Sequence, residues 1–343
     1  MKLYAILSLI LFLTMLFMPL FSLLGSTAQS VNAPVMTALS TQNTSKPQAE
    51  ASNKQTTEVR TEKTTAANDG KIETDGDIAV LRVSSGKIEN VGITDYVIGC
   101  VACEMPASYE LEALKAQAVV SFTYALYQRS EGEKSDLSDD PSVHQAYASY
   151  DELKEKWGDS YDENIAVIKK AVKAVSGEYL TYEKKLIKPS YFALSSGMTN
   201  SAEDVWGNEV SWLVSVSSDG DRLSPSVKSI FEFTEDEITE LLKDECELKE
   251  ISISKPVIAK SGYVKSIDIS SHKFSGEELR RLLSLRSGNF TVKKEGDLYV
   301  FTCMGYGHGV GMSQNGANYM AKQGSGYKEI LSHYYPGTEV LLS

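Results

Sequence analysis

A long apolar run at the start of the chain decides where the remainder can fold. Residues 3–24 are almost entirely apolar, interrupted by Ser8, Thr14, Pro19 and Ser22. A helix of this length rises about 33 Å, and the hydrocarbon core of a bilayer is about 30 Å thick. The run therefore predicts a transmembrane anchor over residues 1–24, which takes this segment out of any globular core.

A cleaved signal peptide is the alternative interpretation of this run. Ser26-Thr27-Ala28 offers a small-x-small cleavage site, but the apolar cores of signal peptides are usually shorter, about 7–15 residues. The length of the run favours a retained anchor. Because Lys2 and the terminal amine precede the run, the positive-inside rule predicts that everything after Leu24 lies outside the cytoplasm.

The next segment is polar and predicts a disordered stalk. Residues 25–76 are rich in Ser, Thr, Asn, Gln, Ala and Lys, and residues 26–70 contain no aromatic side chain. Such a segment buries too little apolar surface to offset the entropy of its chain. A flexible stalk of this length reaches on the order of 40 Å, which suits a substrate or partner that lies away from the membrane.

Charge and composition exclude several classes of protein. The 343 residues include 34 Lys and Arg against 46 Asp and Glu, a net charge of −12, which argues against a nucleic-acid-binding protein. Hydrophobic residues make up 42% of the chain, enough for a packed core. Cys100 and Cys103 form a lone Cys-x-x-Cys without a second pair at the spacing of a structural zinc site, so we expect no metal and no cofactor.

Residues 77–343 show the patterns of an α+β domain. Apolar residues recur at helical spacing from Leu111 to about Tyr127, after Ser108 as a candidate N-cap. We expect a mixed core domain, an inserted smaller α/β unit at about residues 227–300, and a substrate groove between them. Further predicted helices are 163–175, 235–243, 276–283, 314–322 and 327–334, and predicted strands are 78–83, 178–182, 186–192, 212–216, 248–254 and 264–269.

Two features stand out as candidates for chemistry. Glu104 precedes Met105-Pro106 at a junction where a side chain projects from a fixed backbone, although a surface charge beside a helix is the simpler interpretation. The glycine-dense segment 305–311 contains His308, and glycine allows close approach of the backbone to a ligand. This segment is neither a P-loop nor a dinucleotide-binding fingerprint, and a tight turn with a capped imidazole is its alternative.

Hydroxyl, amide and aromatic side chains suit sugar recognition. Ser195, Ser196 and Ser313 do not lie in a Gly-x-Ser-x-Gly motif, so a nucleophilic role is disfavoured for them. Ser313 and Gln314 add groups that bond sugar hydroxyls and N-acetyl groups. Tyrosines at 147, 191, 334 and 335 suit sugar rings, although packing in the core explains most tyrosines.

Several segments, taken together, resemble the stage II sporulation protein D family, which is related to amidase-enhancer proteins. They follow the family's order from about residue 77 to the end, and residues 104–118 are specific when found together with residues 307–314. The segments are Asp95-Tyr-Val97, Glu104-Met-Pro-Ala-Ser-Tyr109, Leu111-Glu-Ala-Leu-Lys-Ala-Gln-Ala118, Gln145-Ala-Tyr147, Val205-Trp-Gly207, Ser275-Gly-Glu-Glu-Leu-Arg280, Gly305-Tyr-Gly-His-Gly-Val-Gly-Met-Ser-Gln314 and His333-Tyr-Tyr-Pro-Gly337.

This resemblance implies a peptidoglycan lytic transglycosylase of spore-forming bacteria. Such proteins cut glycan strands whose stem peptides have been removed, during engulfment of the forespore. They work from the mother-cell membrane, with a cell-wall amidase and a membrane scaffold protein as partners. The family's catalytic glutamate matches Glu104. Together with the side-chain chemistry, the resemblance gives as candidate substrate contacts Gln145, Tyr147, Tyr191, Ser195, Ser196, His308, Ser313, Gln314 and Tyr334.

The sequence departs from the family's pattern at a few positions. Asn315 stands where Tyr is common, and Ala193 stands near a frequent His. Some clostridial relatives bind zinc through His and Cys in a segment where this chain offers only His144. Two alternatives to the enzyme are a non-catalytic peptidoglycan-binding activator of an amidase and, more weakly, a metalloenzyme that uses Cys100, Cys103 and His308.

Overall fold

The computed structural model describes residue 72 and residues 74–132, 136–248 and 250–343. They belong to one compact unit. The predicted anchor at 1–24 lies outside the described residues, as does nearly all of the predicted stalk. No helix in the described ranges combines the length and the apolar character that a membrane span requires.

The fold contains both helices and strands, which confirms the α+β class. Two short 3-10 turns, Gly158–Ser160 and Asp219–Leu223, complete the helical elements. The helices are α1 (Ile93–Glu104), α2 (Leu111–Ser130), α3 (Tyr150–Trp157), α4 (Tyr161–Ala174), α5 (Ala202–Trp206), α6 (Glu235–Leu242), α7 (Gly276–Leu282), α8 (Gln314–Lys322) and α9 (Tyr327–Tyr334).

The strands form several small sheets rather than one large one. The strands are β1 (Asp77–Arg82), β2 (Lys87–Gly92), β3 (Leu137–Ser138), β4 (Glu178–Tyr182), β5 (Lys185–Leu186), β6 (Tyr191–Phe192), β7 (Lys228–Thr234), β8 (Val257–Ile258), β9 (Val264–Ile269), β10 (His272–Phe274), β11 (Phe290–Glu295), β12 (Leu298–Met304), β13 (Met312–Ser313) and β14 (Glu339–Leu342). Their orders are β2-β1-β3, β10-β9-β8, β11-β12-β7, β13-β6 and β14-β4-β5.

The helix α2 is the centre of the first hydrophobic core. Leu114 and Ala125 on its apolar face are completely buried. The helix packs against α1, α4, α8, α9 and β4, so it contacts most of the elements that carry the candidate site. The predicted N-cap at Ser108 is wrong, because the helix begins at Leu111 and Glu110 caps it without a side-chain hydrogen bond.

A second hydrophobic core gathers side chains from residues 231–303 only. Phe290, Phe301 and Leu279 lie at its centre, each at most 1% exposed. The helices α6 and α7 on this core each begin with a capping box, in which a Thr or Ser side chain and a Glu three residues later satisfy the first backbone N–H groups. That residues 227–300 form a separable inserted unit stays a prediction.

Three predicted strands are wrong. The predicted strand 186–192 is replaced by β5 and β6, which belong to different sheets and are separated by irregular residues. The other two are 212–216 and 248–254. Within residues 212–216, Leu213 donates its N–H to the Val210 carbonyl in a turn, and the Val216 N–H bonds the Thr199 hydroxyl instead of a neighbouring strand. The described residues of 248–254 form no continuous strand: Ile253 makes only an isolated bridge with Ile269, and Leu248 and Ile251 are buried in the second core. In each segment some of the apolar residues that suggested a strand, Leu213 in the first and Leu248 and Ile251 in the second, are buried without forming a continuous strand.

Candidate active site

Glu104 is the last residue of α1, and the proline two residues later explains why the helix stops there. Pro106 disfavours helical backbone at the preceding residue, and Met105 is extended at φ −127° and ψ 141°. Met105 is buried at 1% exposure and anchors the turn in the first core. The side chain of Glu104 is half-buried at this fixed helix end.

Three hydrogen bonds hold the Glu104 carboxylate, each from a different part of the chain. Oε1 accepts from the backbone N–H of Ala146 at 3.0 Å and from the Tyr191 hydroxyl at 3.0 Å. Oε2 accepts from Nε2 of Gln314 at 3.2 Å. Tyr191 comes from β6 and Gln314 is the first residue of α8, so segments that are distant in sequence converge on Glu104.

Behind Glu104 the hydrogen bonds close into a ring of buried polar groups. Gln314 also donates to Oε1 of Gln117 at 3.4 Å, and Gln117 donates to the Ser121 hydroxyl at 3.1 Å. Gln145 donates to the carbonyl oxygen of Ser121 at 3.2 Å, and its own Oε1 accepts from Tyr191 at 3.2 Å. Gln117 and Ser121 lie one turn apart on α2, which therefore supports both sides of the carboxylate. We refer to these groups as the Glu104 ring.

Burial and hydrogen bonding act on the pKa of Glu104 in opposite directions. Burial raises this pKa, whereas the bonds from Ala146, Tyr191 and Gln314 lower it, and the net result is a raised pKa. Burial also raises the pKa of Tyr191 well above its usual range. The phenol therefore remains a donor, and the carboxyl group retains its proton to a higher pH than an exposed glutamate does.

His308 lies behind Tyr191 and is neutral. Its Nδ1 accepts the backbone N–H of Val310 at 3.1 Å, and its ring also bonds the backbone of Tyr191. The imidazole packs between the rings of Phe192 and Trp206, with centroids 5.8 Å and 5.7 Å away. Burial lowers the pKa of His308 to about 4. This histidine thus positions the strand that carries Tyr191.

Asp221 is a buried carboxylate that no motif in the sequence marks. Its side chain is completely buried. Oδ2 accepts from the Ser195 N–H at 2.9 Å, from the Ser195 hydroxyl and from the Ser218 hydroxyl at 2.8 Å. Oδ1 accepts from Ser313 and from Asn315, both at 3.0 Å. These bonds join the loop after β6 to the start of α8 and so fix the residues on both sides of Gln314.

The predicted substrate contacts occupy different environments. Three of these residues belong to the Glu104 ring, namely Gln145, Tyr191 and Gln314. Three more are at most 1% exposed and bonded to other protein groups, namely Ser195, Ser313 and Tyr334. The last three are half-buried outside the ring, namely Tyr147, Ser196 and His308.

Two of the half-buried residues have protein partners of their own. The Ser196 hydroxyl accepts from Asn289 at 2.8 Å. The ring of Tyr147 stacks on Tyr96 at 5.1 Å, and the guanidinium of Arg82 lies 5.1 Å from its centroid. The role of each predicted contact in binding a substrate stays a prediction.

The loops at 195–199 and 305–311 lie side by side. Leu194 and Tyr306 exchange backbone hydrogen bonds of 3.1 Å and 2.6 Å, and the Asn200 N–H donates to the Gly309 carbonyl at 2.7 Å. Gly311 has φ +79°, and a Cβ there would come within 1.9 Å of the Ser190 carbonyl oxygen. Tight backbone packing therefore explains this glycine.

The cysteines do not form a metal site with their neighbours. In the ranges that the structure describes, no three His, Cys, Asp or Glu side chains are grouped so that they could hold a metal ion. Both Cys100 and Cys103 belong to α1. Burial raises the pKa of Cys100 and raises that of Cys103 to about 11, so both thiols keep their protons. His144 accepts the Ser138 N–H on Nδ1 at 2.9 Å.

Comparison with known proteins gives a consistent result. Residues 82–182, which include Glu104, match the family model of the stage II sporulation protein. The chain is 38% identical to stage II sporulation protein D of Bacillus subtilis (strain 168) over 269 residues, 77% of this chain and 78% of that protein. It is 37% identical to the protein of that name from Bacillus amyloliquefaciens, with the same coverage. The amidase enhancer of Bacillus subtilis is 27% identical over 70% of this chain and 39% of its own length.

Proposed function

The chain belongs to the stage II sporulation protein D family, and from this premise we propose that it is a peptidoglycan lytic transglycosylase with Glu104 as its catalytic residue. Its substrate is the glycan strand without stem peptides. It cuts between N-acetylmuramic acid and N-acetylglucosamine and leaves 1,6-anhydro ends, during engulfment of the forespore.

The reaction requires one group that gives a proton and then takes one. Glu104 donates its proton to the glycosidic oxygen, and the bond from this oxygen to C1 of N-acetylmuramic acid breaks. The C6 hydroxyl oxygen of the same sugar forms the new bond to C1, and its proton passes to Glu104. No water is consumed, and the carboxyl group ends in its starting state.

The environment of Glu104 is the observation that carries the proposal. Its raised pKa favours the protonated form that a general acid needs before the step, and its three donors stabilise the carboxylate that forms during the step. Oε2 accepts only the Gln314 bond, whereas Oε1 accepts two, so Oε2 is the oxygen that carries the proton. Glycosidases that use water need a second carboxylate, and within the described residues Glu104 is the only carboxylate of its ring.

The remaining predictions complete this proposal. The Ser195–Thr199 and His308 loops form, with Glu104, a groove for the strand. The chain is held by its N-terminal anchor in the mother-cell membrane and faces the forespore, where a cell-wall amidase supplies stem-peptide-free strands and a membrane scaffold protein organises both. The polar stalk gives the domain the reach for a substrate outside the membrane.

Mass spectrometry of the products tests the proposal. The purified full-length chain is incubated with stem-peptide-free glycan strands, beside its Glu104→Gln variant. We expect 1,6-anhydro-N-acetylmuramic acid ends from the parent chain and a loss of at least about a thousandfold in rate for the variant, because the amide cannot protonate the leaving oxygen. Reducing ends would mean that water attacks C1, which would contradict the mechanism.

The second candidate is a non-catalytic activator of an amidase, which the name of the amidase enhancer relative favours. In that case the chain binds the strands without cutting them. The activator also predicts that Glu104→Gln retains biological function, whereas the transglycosylase predicts that sporulation fails with this variant.

A further inference from the structure

Trp206 presents an unusually exposed aromatic ring on a rigid support. It leaves 47% of its surface open to solvent at the end of α5. The helix is short, but hydrogen bonds hold both of its ends. The Ser201 side chain accepts the Asp204 N–H at 3.2 Å, and the Gly207 N–H donates to the Glu203 carbonyl at 3.0 Å. The position of the indole is therefore fixed while about half of its surface stays open to solvent.

The inner edge of the indole packs on a column of rings that leads into the core. Trp206 packs on His308, and His308 packs on Phe192, which is 4% exposed. With a pKa of about 4, His308 is neutral at physiological pH. The column is thus uncharged and held by backbone hydrogen bonds, so the exposed indole keeps its orientation.

The same column leads to Glu104. His308 bonds the backbone of Tyr191, and the hydroxyl of Tyr191 donates to the Glu104 carboxylate. Trp206 is therefore connected to Glu104 in three steps. Its ring contacts His308, His308 bonds the backbone of Tyr191, and the Tyr191 side chain bonds Glu104. A ligand on the indole would lie along the β6 side of the site, displaced from the reacting bond.

The surroundings of the indole favour a ligand that has both apolar and polar faces. Glu203, Gly207, Asn208 and Glu209 beside it are exposed, and Asp204 pairs with Lys265 at 2.6 Å. A single aromatic ring within a polar rim is a poor match for an apolar protein interface. It suits a pyranose, whose C–H face packs on an aromatic ring while its hydroxyls bond the rim.

We propose that Trp206 is a stacking platform for one pyranose ring of the glycan strand, at a subsite removed from the cleaved bond. The proposal deepens the proposed function, on which it depends only for the identity of the glycan. Because the ring remains bound throughout the reaction, the contact contributes equally to the ground state and the transition state, and its loss raises KM while kcat stays nearly unchanged.

The test compares substitutions of Trp206 in the full-length Glu104→Gln chain, where turnover is removed. Binding of stem-peptide-free glycan strands is measured as a dissociation constant. We expect Trp206→Leu to weaken binding about tenfold, and Trp206→Phe to weaken it about threefold, because an aromatic face remains. Trp157→Leu, which truncates a half-buried tryptophan on α3, is the matched control and should bind like the parent.

The outcomes separate this proposal from the proposed function. Unchanged binding by Trp206→Leu overturns the platform. The same conclusion follows if Trp206→Leu, made in the chain that retains Glu104, lowers kcat and leaves KM unchanged. A parent chain that binds strands without cutting them removes the transglycosylase, yet the platform stands if Trp206→Leu weakens that binding. If the parent chain binds no strands, both proposals fail.

Discussion

Glu104 shows how the surroundings of a single carboxyl group set its readiness to release a proton. Burial disfavours its charge, and three hydrogen bonds favour it. A group with burial alone would hold its proton too tightly to give it away, and one with the bonds alone would be ionised before the reaction. The readiness of Glu104 to release its proton therefore depends on the balance between burial and hydrogen bonding more than on either effect by itself.

Removal of the Tyr191 hydroxyl should change the pH dependence of the reaction. The bond from Tyr191 lowers the pKa of Glu104, so Tyr191→Phe raises that pKa further. Because activity is lost as Glu104 ionises with rising pH, we expect the alkaline limb of the pH–rate profile to move to higher pH. The carboxylate formed in the step also loses a donor, so kcat should fall about tenfold at the optimum.

A control for this prediction lies on the opposite side of α2. The hydroxyl of Tyr327 donates to the Glu178 carboxylate at 2.9 Å and 3.0 Å, outside the Glu104 ring. Tyr327→Phe removes the same kind of bond and should leave the profile unchanged. An alkaline limb that moves to lower pH in Tyr191→Phe would show that Glu104 is not the group that titrates.

At this scale the sequence predicted Glu104 but not Asp221. The helix end beside Pro106 and the family motif both mark Glu104. Asp221 belongs to a run of Ser, Asp and Gly that reads as an ordinary loop. Asp221 joins separate segments because it accepts hydrogen bonds from Ser195, Ser313 and Asn315, which only the tertiary fold brings together. The spacing of residues along the chain does not indicate contacts of this kind.

Among the elements, amphipathic helices were predicted best. The helices at 314–322 and 327–334 are confirmed with the predicted bounds, because apolar spacing and terminal residues agree there. Short strands were predicted less well, and residues 248–254 illustrate the reason. Leu248 and Ile251 are buried by tertiary packing in the second core, and only Ile253 forms an isolated bridge, with Ile269. In a sequence, such burial looks the same as a continuous strand.

The glycine loop before α8 should depend on backbone contact at Gly311 more than on its dihedral angles. Gly311→Ala places a Cβ against the Ser190 carbonyl oxygen, and we expect the free energy of unfolding to fall by about 3 kcal/mol or more. Gly324 has a similar positive φ of +97° but open space around it. Gly324→Ala should therefore cost only about 1 kcal/mol. Denaturant unfolding of both full-length variants measures the difference, and equal losses would contradict the role of the contact.

In the molecule as a whole, apolar side chains are divided between two cores. The first surrounds α2 and carries the Glu104 ring, and the second contains only residues between 231 and 303. The sequence predicted an inserted unit at about 227–300 from a change in the pattern of elements. It could not predict how far the two cores depend on one another, because that depends on contacts distant in sequence.

The two cores should respond separately to damage. Phe301, which contacts Phe233 and Phe290, is completely buried in the second core. Phe301→Ala should destabilise that core by about 3–5 kcal/mol and speed hydrogen exchange in β7, β11 and β12, while α2 stays protected.

Ile168→Ala on α4, a buried site of the first core, is the converse variant and should speed exchange in α2 instead. Equal loss of protection throughout the chain in both variants would show one cooperative unit and would contradict the inserted unit.

The stop that Pro106 imposes on α1 also has an electrostatic consequence. Aligned peptide groups give a helix a partial negative charge at its C-terminal end and a partial positive charge at its N-terminal end. Glu104 occupies the negative end of α1, whose last turn has no basic residue, and it bonds Gln314 at the positive end of α8. The dipole of α1 thus opposes ionisation of Glu104, and the dipole of α8 favours it. The backbone itself therefore brings the protonated and ionised forms of the carboxyl group closer in free energy, as suits a group that must release and recover a proton.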